Sequence, residues 1–283
     1  MKILCTGSNG MLGRELKTAL KNHDLLTPRR HELNVSNVNQ VMKFTKEKPD
    51  LIIHLAAETD HEYCDANPTQ CYFVNTVGTA YMVNLAKELD IPIIYQSAAS
   101  VFDGKKKKPY SPKDIPNPIN NYNMSKYWGE IIVKEYKKHI ILRTGWLFGG
   151  GENDKKFLSK IIKKINAGEK EIKVCDDCIG CPTYARDLAT AYSYVIDNLT
   201  DGHDFGTYNC VNYYEGNGVS RFEYAQEIVK DLGVDVKIIP CQIDDLKEEF
   251  PCKRTNYEVL EMGIKMPEWK QSLKGCIDAN YRD

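Results

Sequence analysis

Apolar runs alternate with amphipathic stretches along the first half of the chain. The run at residues 2–5 is followed by a segment, 12–20, with apolar side chains at helical spacing. Four more short, β-rich apolar runs follow, at 24–27, 51–55, 93–97 and 140–144, and helical patterns lie between them at 38–46, 68–89 and 123–137. Such alternation is typical of a parallel sheet with helices on both faces. The first half therefore predicts a doubly wound α/β fold of the Rossmann type.

The pattern changes after residue 149. Three helical stretches are predicted there, at 157–166, 185–197 and 220–232, separated by connectors rich in Gly, Asp and Asn. We predict a dinucleotide-binding domain over residues 1–148, which also receives a helix from 185–200, and a smaller C-terminal α/β substrate-binding region over 149–283. Open α/β sheets bind ligands at the carboxyl edge of their strands, so we expect the second region to cover that edge.

Composition and charge narrow the function classes. The net charge of the 283 residues is −1, which provides no field for nucleic acid, and no apolar run approaches the roughly 20 residues that span a bilayer. The stretch 103–121 contains four consecutive lysines, which we predict to be a solvated loop. We expect no secretion signal, ten reduced cysteines and a cytoplasmic protein without membrane or nucleic-acid partners. The sequence leaves monomer and homodimer open.

Three glycines follow the first predicted strand and enter the first predicted helix. They are Gly7, Gly10 and Gly13 of the segment Gly-Ser-Asn-Gly-Met-Leu-Gly. At this position the first glycine makes the turn, the second lets the backbone approach phosphates, and the third packs helix against strand. Helix starts favour a pyrophosphate through their free N–H groups and dipole. The segment therefore predicts dinucleotide binding.

Tyr122 and Lys126 are four residues apart and lie on one face of a predicted helix. If both face a cofactor, the ammonium group lowers the pKa of the phenol and favours a tyrosine that gives or takes a proton. An exposed helix carrying both residues is the alternative. The glycine segment upstream favours the catalytic interpretation.

A set of motifs resembles the extended short-chain dehydrogenases/reductases, and within them the dTDP-4-dehydrorhamnose reductases. The matching segments occur in order over about residues 1 to 190. They are Thr-Gly-Ser-Asn-Gly-Met-Leu-Gly at 6–13, His-Leu-Ala-Ala-Glu-Thr-Asp at 54–60, Val-Asn-Thr-Val-Gly-Thr at 74–79, Val-Phe-Asp-Gly at 101–104, Tyr-Asn-Met-Ser-Lys at 122–126, Arg-Thr-Gly-Trp-Leu-Phe at 143–148 and Gly-Cys-Pro-Thr at 180–183.

The resemblance implies a role for each matching residue. Tyr122 would donate a proton to a sugar ketone, and Lys126 would bind the nicotinamide ribose and adjust Tyr122. The other cofactor residues would be Gly7, Gly10, Met11, Leu12 and Gly13 at the pyrophosphate, Asn34 and Val35 at the adenine, and Ala56, Ala57 and Thr59 at the ribose and nicotinamide. Trp146 would pack on the sugar or its nucleotide, and Arg254 would contact the diphosphate.

Cofactor choice depends on the residues after the second predicted strand. Arg29 and Arg30 stand where a basic side chain meets the 2′-phosphate of NADPH, although Glu32 is near. We predict NADPH, with NADH as the alternative, and assign the contact to Arg30.

One departure from the family concerns the hydroxyl that helps to polarise the substrate carbonyl. Its place is taken by Ala98, and Ser97 should point to the opposite face of the strand. Ser100 shares the parity of Ala98 and is our candidate replacement, about 6.5 to 7 Å further along if the strand persists. Cys178 stands where the family usually has glutamine. The site is therefore either rescued by Ser100 or water, adapted to another substrate, or reduced to binding.

The cysteines and histidines do not form a recognisable metal site. Cys175, Cys178 and Cys181 are spaced like iron–sulfur ligands, but Ala185 occupies the place of the fourth. We predict structural thiols and no metal. His54 is expected to be a hydrogen-bonded core residue. His61 and Glu62 are predicted to lie in a solvated loop, with a position facing the substrate as the alternative.

The glycine segment and the Tyr122–Lys126 pair predict a dinucleotide-dependent enzyme. The family resemblance further implies an NAD(P)H-dependent reductase of a nucleoside diphosphate 4-keto-6-deoxysugar, acting in deoxysugar or surface polysaccharide biosynthesis. Two alternatives stay open: a sugar-nucleotide epimerase or dehydratase that retains NAD, and a non-catalytic dinucleotide-binding regulatory subunit.

Overall fold

The computed structural model describes residues 1–151, 154–199 and 205–281. In chain order its strands are β1 Lys2–Thr6, β2 Asp24–Leu26, β3 Leu51–His54, β4 Ile93–Ala98, β5 His139–Thr144, β6 Trp146–Phe148, β7 Glu171–Cys175, β8 Ile179–Gly180, β9 Pro182–Tyr184, β10 Gly206–Asn209, β11 Val219–Ser220 and β12 Lys237–Cys241. The α-helices are α1 Met11–Ala19, α2 Val38–Lys43, α3 His61–Ala66, α4 Pro68–Tyr72, α5 Gly78–Leu89, α6 Asn121–Lys134, α7 Phe157–Asn166, α8 Ala185–Asp197, α9 Arg221–Leu232 and α10 Trp269–Asn280.

The central sheet has the order β10-β5-β4-β3-β1-β2, and every neighbouring pair is parallel. Side chains of β1 alternate between its two faces, so Ile3 packs in a core with α1 and α8 while Leu4 packs in a core with α2 and α5. This architecture confirms the predicted doubly wound α/β fold. The division at residue 148 into a dinucleotide-binding domain and a substrate-binding region stays a prediction. The central sheet also takes one strand, β10, from beyond that point.

The strand order reverses between β1 and β3. The chain leaves β1 towards β2 on one side and returns to β3 on the other. Open α/β sheets form their ligand crevice outside the carboxyl ends of the strands at such a reversal. The glycine turn follows β1 and residues 55–60 follow β3, so both segments lie at this crevice.

The C-terminal region has its own apolar core and attaches at the same edge of the sheet. Phe148, Tyr224 and Trp269 belong to this core, together with side chains of α7, α9 and α10. β6 follows β5 after one residue, Gly145, where a Cβ would lie 2.2 Å from the Cys181 carbonyl oxygen. Only glycine permits this approach, which brings β6 beside β9.

Several predicted boundaries were wrong. The helix predicted at 68–89 consists of α4, a π-helical turn Phe73–Val77, and α5, and the helix predicted at 38–46 ends at Lys43 and continues as a 3₁₀ turn. The helix predicted at 123–137 begins two residues earlier because Asn120 caps it, accepting from the Asn123 N–H at 2.9 Å. No element was predicted at the positions of α3, α10 and the short strands of the C-terminal region.

The predicted loop contains the exposed lysines 105–108, which confirms the interpretation of the lysine run as a solvated surface. Among the described helices, none is both long and apolar enough to cross a membrane.

Candidate active site

Gly7 and Gly13 bring the turn after β1 into close contact with its surroundings. Gly7 has a φ of 70°, and a Cβ there would lie 2.8 Å from the Ala56 nitrogen. A Cβ on Gly13 would lie 2.5 Å from the Ser8 Cα. Gly10 is the N-cap of α1 and offers no side chain to its first-turn N–H groups. Those donors therefore remain for an anion in the crevice.

A single cleft of about 770 Å³ runs from this glycine turn across the carboxyl edge of the sheet into the C-terminal region. Every site residue predicted from the sequence lines its wall. These residues are Gly7, Gly10, Met11, Leu12, Gly13, Arg30, Asn34, Val35, Ala56, Ala57, Thr59, Ser100, Tyr122, Lys126, Trp146 and Arg254. The structure thus brings them together, and their individual roles stay predictions. We call the part around the glycine turn the cofactor half and the part in the C-terminal region the substrate half.

The two arginines after β2 differ in position. Arg30 lines the cleft, whereas Arg29 is absent from its wall. The backbone N–H of Arg29 donates to the Glu32 carboxylate at 2.6 Å, which ties that carboxylate to the turn. The cationic Arg30 therefore faces the cleft without this carboxylate beside it on the wall.

Tyr122 and Lys126 lie on α6, between the two halves. Burial raises the pKa of Tyr122, so its phenol is protonated at neutral pH. Burial lowers the pKa of Lys126 to about 7, although the Glu130 carboxylate opposes the shift. Burial therefore determines the direction of the pKa shift at Tyr122 in this structure. The expectation that the ammonium lowers the phenol pKa applied to a bound cofactor and stays a prediction.

Lys126 is supported from below by Tyr95 on β4. The Lys126 Nζ lies 4.1 Å from the centre of the Tyr95 ring, and the Tyr95 hydroxyl donates to the Lys126 carbonyl at 3.3 Å. Gly129 leaves room for this hydroxyl, since a Cβ there would lie 2.3 Å from it. The glycine one helical turn after Lys126 therefore lets α6 pack on Tyr95.

His61 packs on Tyr122, with 4.4 Å between the ring centres. It lies on α3 and lines the cleft with Glu62, so the solvated-loop interpretation was wrong. The alternative, a position facing the substrate, stays a prediction. Burial, followed by the charges of Arg254 and Lys156, lowers the pKa of His61 to about 3. A neutral imidazole thus covers the phenol. His54 is a buried core residue bonded to Thr6 and Thr79, as predicted.

The end of β4 shows which hydroxyls lie near Ala98, where the family's hydroxyl is missing. The Ser97 hydroxyl donates to the Glu130 carboxylate at 2.6 Å, away from Ala98, as strand alternation predicts. The strand does not persist beyond Ala98, because residues 99–101 form a 3₁₀ turn, so the spacing to Ser100 given for a continuing strand does not apply. Ser100 still lines the cleft.

Thr144 offers a second hydroxyl that the sequence analysis did not consider. It is paired with Ala98 in the register of β4 and β5, and it lines the cleft. Its Oγ1 is buried without a hydrogen-bond partner among the described residues. Parallel register partners project to the same face of the sheet, so Thr144 stands directly beside the position that lacks a hydroxyl.

The substrate half is built around Trp146. Its indole N–H donates to the Glu258 carboxylate at 2.8 Å, and the Arg221 guanidinium stacks on its ring at 3.5 Å. Burial raises the pKa of Glu258 and lowers the pKa of Arg221. A Cβ on Gly180 would lie 2.3 Å from the indole, so this glycine lets the turn before β9 pack behind Trp146.

Cationic side chains line the rest of the substrate half. Lys156 is the N-cap of α7, and Lys160 and Lys164 follow it within the helix at four-residue spacing. All three line the cleft. The Lys156 ammonium donates to Thr59 Oγ1 at 3.3 Å, and Arg254 pairs with Glu62, so both residues connect the two halves. The four-residue spacing of these lysines is a sequence signal that was overlooked, whereas nothing in the local sequence marks Arg221.

All ten cysteines, which lie within the described residues, have free thiols. The Cys175 and Cys178 sulfurs and an Asp177 carboxylate oxygen lie within 4.8 Å of one another. Cys181 belongs to the C-terminal core instead and accepts from the Leu260 N–H at 3.5 Å. The predicted absence of a metal stays a prediction.

Comparison with known proteins identifies the family. A family model described as the RmlD substrate binding domain matches residues 1–282. A crystal structure of a dTDP-4-dehydrorhamnose reductase from Clostridium acetobutylicum is 35% identical, with a TM-score of 0.89 and 99% of each chain covered. The dTDP-4-dehydrorhamnose reductase from Bacillus anthracis, solved in complex with NADP, is 29% identical, with a TM-score of 0.88 and coverage of 98% of this chain and 99% of that chain.

By sequence, the spore coat polysaccharide biosynthesis protein SpsK of Bacillus subtilis is 29% identical over 285 residues, which are 96% of this chain and 95% of the relative. The chain belongs to the RmlD family of sugar-nucleotide reductases, within the extended short-chain dehydrogenases/reductases. The family resemblance found in the sequence is confirmed.

Proposed function

We propose that this protein reduces the keto group of a nucleoside diphosphate 4-keto-6-deoxysugar with NADPH, and that dTDP-4-dehydrorhamnose is the first substrate to test. One observation carries the proposal: the glycine turn, the Tyr122–Lys126 pair and a cationic, aromatic wall line one continuous cleft. The names of the similar reductases from C. acetobutylicum and B. anthracis support the substrate class. The name of SpsK supports a place in polysaccharide biosynthesis.

The cofactor half fits a dinucleotide. The uncapped first turn of α1 and the close approach at Gly7 and Gly13 leave backbone donors exposed to the cleft. The Ser8 Oγ beside them is buried without a partner among the described residues, and a phosphate oxygen would satisfy it. NADPH, when bound, supplies the hydride. Gly7, Gly10, Met11, Leu12 and Gly13 would hold its pyrophosphate.

The adenosine end would lie against Asn34, Val35 and Arg30. Arg30 faces the cleft while Glu32 is bonded to the Arg29 N–H, so a 2′-phosphate meets a positive charge without a competing carboxylate. This arrangement favours NADPH over NADH. Ala56, Ala57, Thr59 and Lys126 would line the ribose and nicotinamide.

Tyr122 would supply the proton. Its buried phenol holds the proton at Oη at neutral pH, and the His61 ring limits how far the phenol can turn. Reduction of a ketone develops negative charge on the carbonyl oxygen, and a positioned acid that neutralises it contributes about 10²- to 10⁴-fold in rate. We place Thr144 and then Ser100 as the hydroxyls that polarise this carbonyl in place of Ala98.

The substrate half suits a nucleoside diphosphate. Two phosphates need cationic partners, and Arg254, Arg221 and the α7 lysines line the wall with long, charged side chains. The Arg254 Nε is buried without a hydrogen-bond partner among the described residues, so one donor remains for a phosphate oxygen. Trp146 would stack on the sugar or the base.

The experiment is a kinetic panel. NADPH and NADH oxidation is followed with dTDP-4-dehydrorhamnose, with other 4-keto sugar nucleotides, and with dTDP-glucose, which has no ketone, as the control. Oxidation that depends on the ketone and prefers NADPH supports the proposal. Co-purified NAD with sugar interconversion and no net oxidation would instead identify an epimerase. Dinucleotide binding without turnover on any ketone would identify a regulatory subunit.

A further inference from the structure

The wall of the substrate half contains a pair of cysteines that the proposed reduction does not use. Cys175 ends β7, and Cys178 stands three residues later, just before β8, in a Cys-Asp-Asp-Cys sequence. Their sulfurs lie within 4.8 Å of each other, and the two thiols are hydrogen-bonded. Both residues line the cleft, with 6% of Cys175 and 7% of Cys178 exposed. A small part of each residue is therefore accessible from the cleft.

The surroundings favour thiol chemistry over metal binding. The hydrogen bond from Cys178, and then the positive charge of Arg221, lower the pKa of Cys175. A thiolate is the nucleophile in thiol oxidation, and neighbouring cations promote it. The same guanidinium charge opposes a divalent cation at these sulfurs. One oxygen of Asp177 also accepts from the Ile243 N–H at 2.8 Å, which commits that oxygen to the backbone.

Movement at this turn would reach the residues around Trp146. The Cys178 carbonyl accepts from the Arg221 N–H at 2.9 Å, at the start of α9. Gly180, two residues after Cys178, packs directly against the Trp146 indole. The Arg221 guanidinium stacks on the same ring, 3.5 Å from its centre. Disulfides require a Cβ–Cβ separation of about 3.5 to 4.5 Å and a defined dihedral, so closing one constrains this turn.

We propose that Cys175 and Cys178 form a reversible disulfide that weakens binding in the substrate half of the cleft. With a peroxide as the oxidant, the Cys175 thiolate attacks one peroxide oxygen, the O–O bond breaks, and a sulfenic acid and hydroxide form. The Cys178 sulfur then attacks the Cys175 sulfur, the S–O bond breaks, and water leaves. In sum, two thiols and one hydrogen peroxide give one disulfide and two waters, and a dithiol reverses the reaction.

A second cysteine pair provides an internal comparison. Cys64 and Cys71 are also hydrogen-bonded to each other, but both are fully buried, and neither lines the cleft. Cys241 provides a second comparison, because it is the register partner of Cys175 on β12 but does not line the cleft. Exposure to the cleft, rather than pairing alone, should therefore decide which thiols react.

The first test is mass spectrometry of the whole, ligand-free protein. The protein is treated with hydrogen peroxide, unfolded, alkylated and digested with trypsin, which releases residues 174–186 with Cys175, Cys178 and Cys181 in one peptide. We expect this peptide to lose two hydrogens, with only Cys181 alkylated, and dithiothreitol to reverse the change. Cys175→Ser and Cys178→Ser should abolish it, and Cys241→Ser should retain it.

Three results would overturn the disulfide. They are a Cys175–Cys241 link, oxidation of Cys175 to sulfinic acid without any disulfide, and a stoichiometric metal whose removal by a chelator is needed before the thiols react. Because the wild-type protein alone gives these readouts, they do not depend on the folding of any variant.

The second test addresses the consequence for binding, which rests on the proposed function. Oxidised and reduced samples of the same protein are compared, so the reduced sample is the reference for the oxidised one. We expect oxidation to weaken dTDP binding and raise the KM of the sugar nucleotide by on the order of tenfold, as loss of one charge-assisted contact would, with NADPH binding unchanged. Equal dTDP affinity in both samples would overturn this part. A failure of turnover alone would leave the mass and dTDP measurements intact and count only against the proposed function.

Discussion

The two halves of the cleft are constructed differently. In the cofactor half, the contacts come from backbone groups and small side chains of short, continuous segments, such as residues 7–13 and 56–59. In the substrate half, long charged and aromatic side chains come from distant segments, as in the bond between Trp146 and Glu258, which are 112 residues apart. A site made of backbone groups depends on the path of the main chain, so substitutions that displace this path, such as those at its glycines, are poorly tolerated. A side-chain site can change one residue at a time.

Under the proposed function, this contrast assigns substrate choice to the C-terminal region and chemistry to the junction. Tyr122, Lys126, Ala98 and Thr144 lie where the halves meet. Lys156 and Arg254 cross the junction through Thr59 and Glu62. Perturbing either half should therefore impair one ligand and leave the other, whereas perturbing the junction should stop turnover and leave both bound.

The largest effect is expected at Tyr122. Tyr122→Phe removes the phenolic proton from a fully packed ring, so kcat should fall by about 10²- to 10⁴-fold while the Kd values of NADPH and dTDP change little. Steady-state kinetics and calorimetry measure the two quantities. His61→Phe, which keeps an aromatic ring against Tyr122, serves as the comparison and should cost less. Wild-type turnover in Tyr122→Phe would contradict the assignment of the proton donor.

Gly13→Ala tests the cofactor half. The new Cβ would lie 2.5 Å from the Ser8 Cα, so backbone must shift, and we expect NADPH affinity to fall on the order of a hundredfold from the resulting misplacement. Binding of dTDP should be unaffected.

Gly275→Ala is the matched control for this glycine. It lies within α10 and has nothing within 4 Å of an added Cβ, so alanine should raise stability by about 0.5–1 kcal/mol and leave both ligands bound. If Gly13→Ala lowered dTDP affinity as much as NADPH affinity, the two halves would not be independent.

Arg221→Gln tests the substrate half. It removes the charge stacked on Trp146, so the KM of the sugar nucleotide should rise by roughly tenfold to thirtyfold with the KM of NADPH unchanged. Arg186→Gln is the control: it removes an arginine that does not line the cleft and stacks on Tyr184. It should leave both KM values unchanged. A rise in the KM of NADPH with Arg221→Gln would contradict the assignment of Arg221 to the substrate half.

The same contrast explains what the sequence could predict. The glycine turn and the Tyr122–Lys126 spacing are local patterns, so the cofactor half and the junction could be located without a structure. Arg221 and Glu258 had no local signal, because only the packing of α9 and the 253–259 segment against β6 brings them to Trp146. Thr144 was missed because strand register, rather than sequence distance, puts it beside Ala98. The helix α3, which begins at His61, was missed because six residues are too few to show a helical period.

Lys126 allows a test of the junction without any ligand. Its pKa in the folded protein is about 7, lowered by burial from 10.5. Between these values the unfolded chain binds a proton that the folded chain lacks, so the free energy of unfolding should rise with pH by up to about 1.4 kcal/mol per unit. Lys126→Met lacks this contribution. Urea unfolding between pH 7 and pH 9 should show the wild type gaining on the variant, and parallel profiles would mean that Lys126 stays charged.

The smallest effect is expected at the outer end of the cofactor half, where an exposed side chain contributes to a site otherwise made of backbone. Arg30 lines the cleft and its neighbour Arg29 does not, so the two arginines form a matched pair. Arg30→Ala should lower the preference for NADPH over NADH by roughly fivefold, because an exposed ion pair contributes only about 1 kcal/mol. Arg29→Ala should leave the preference unchanged, and both ratios should shrink as salt screens the charge. A larger change with Arg29→Ala would contradict the assignment of the contact to Arg30. It would mean that the turn after β2 rearranges around the 2′-phosphate, so that specificity in the cofactor half also depends on mobile side chains.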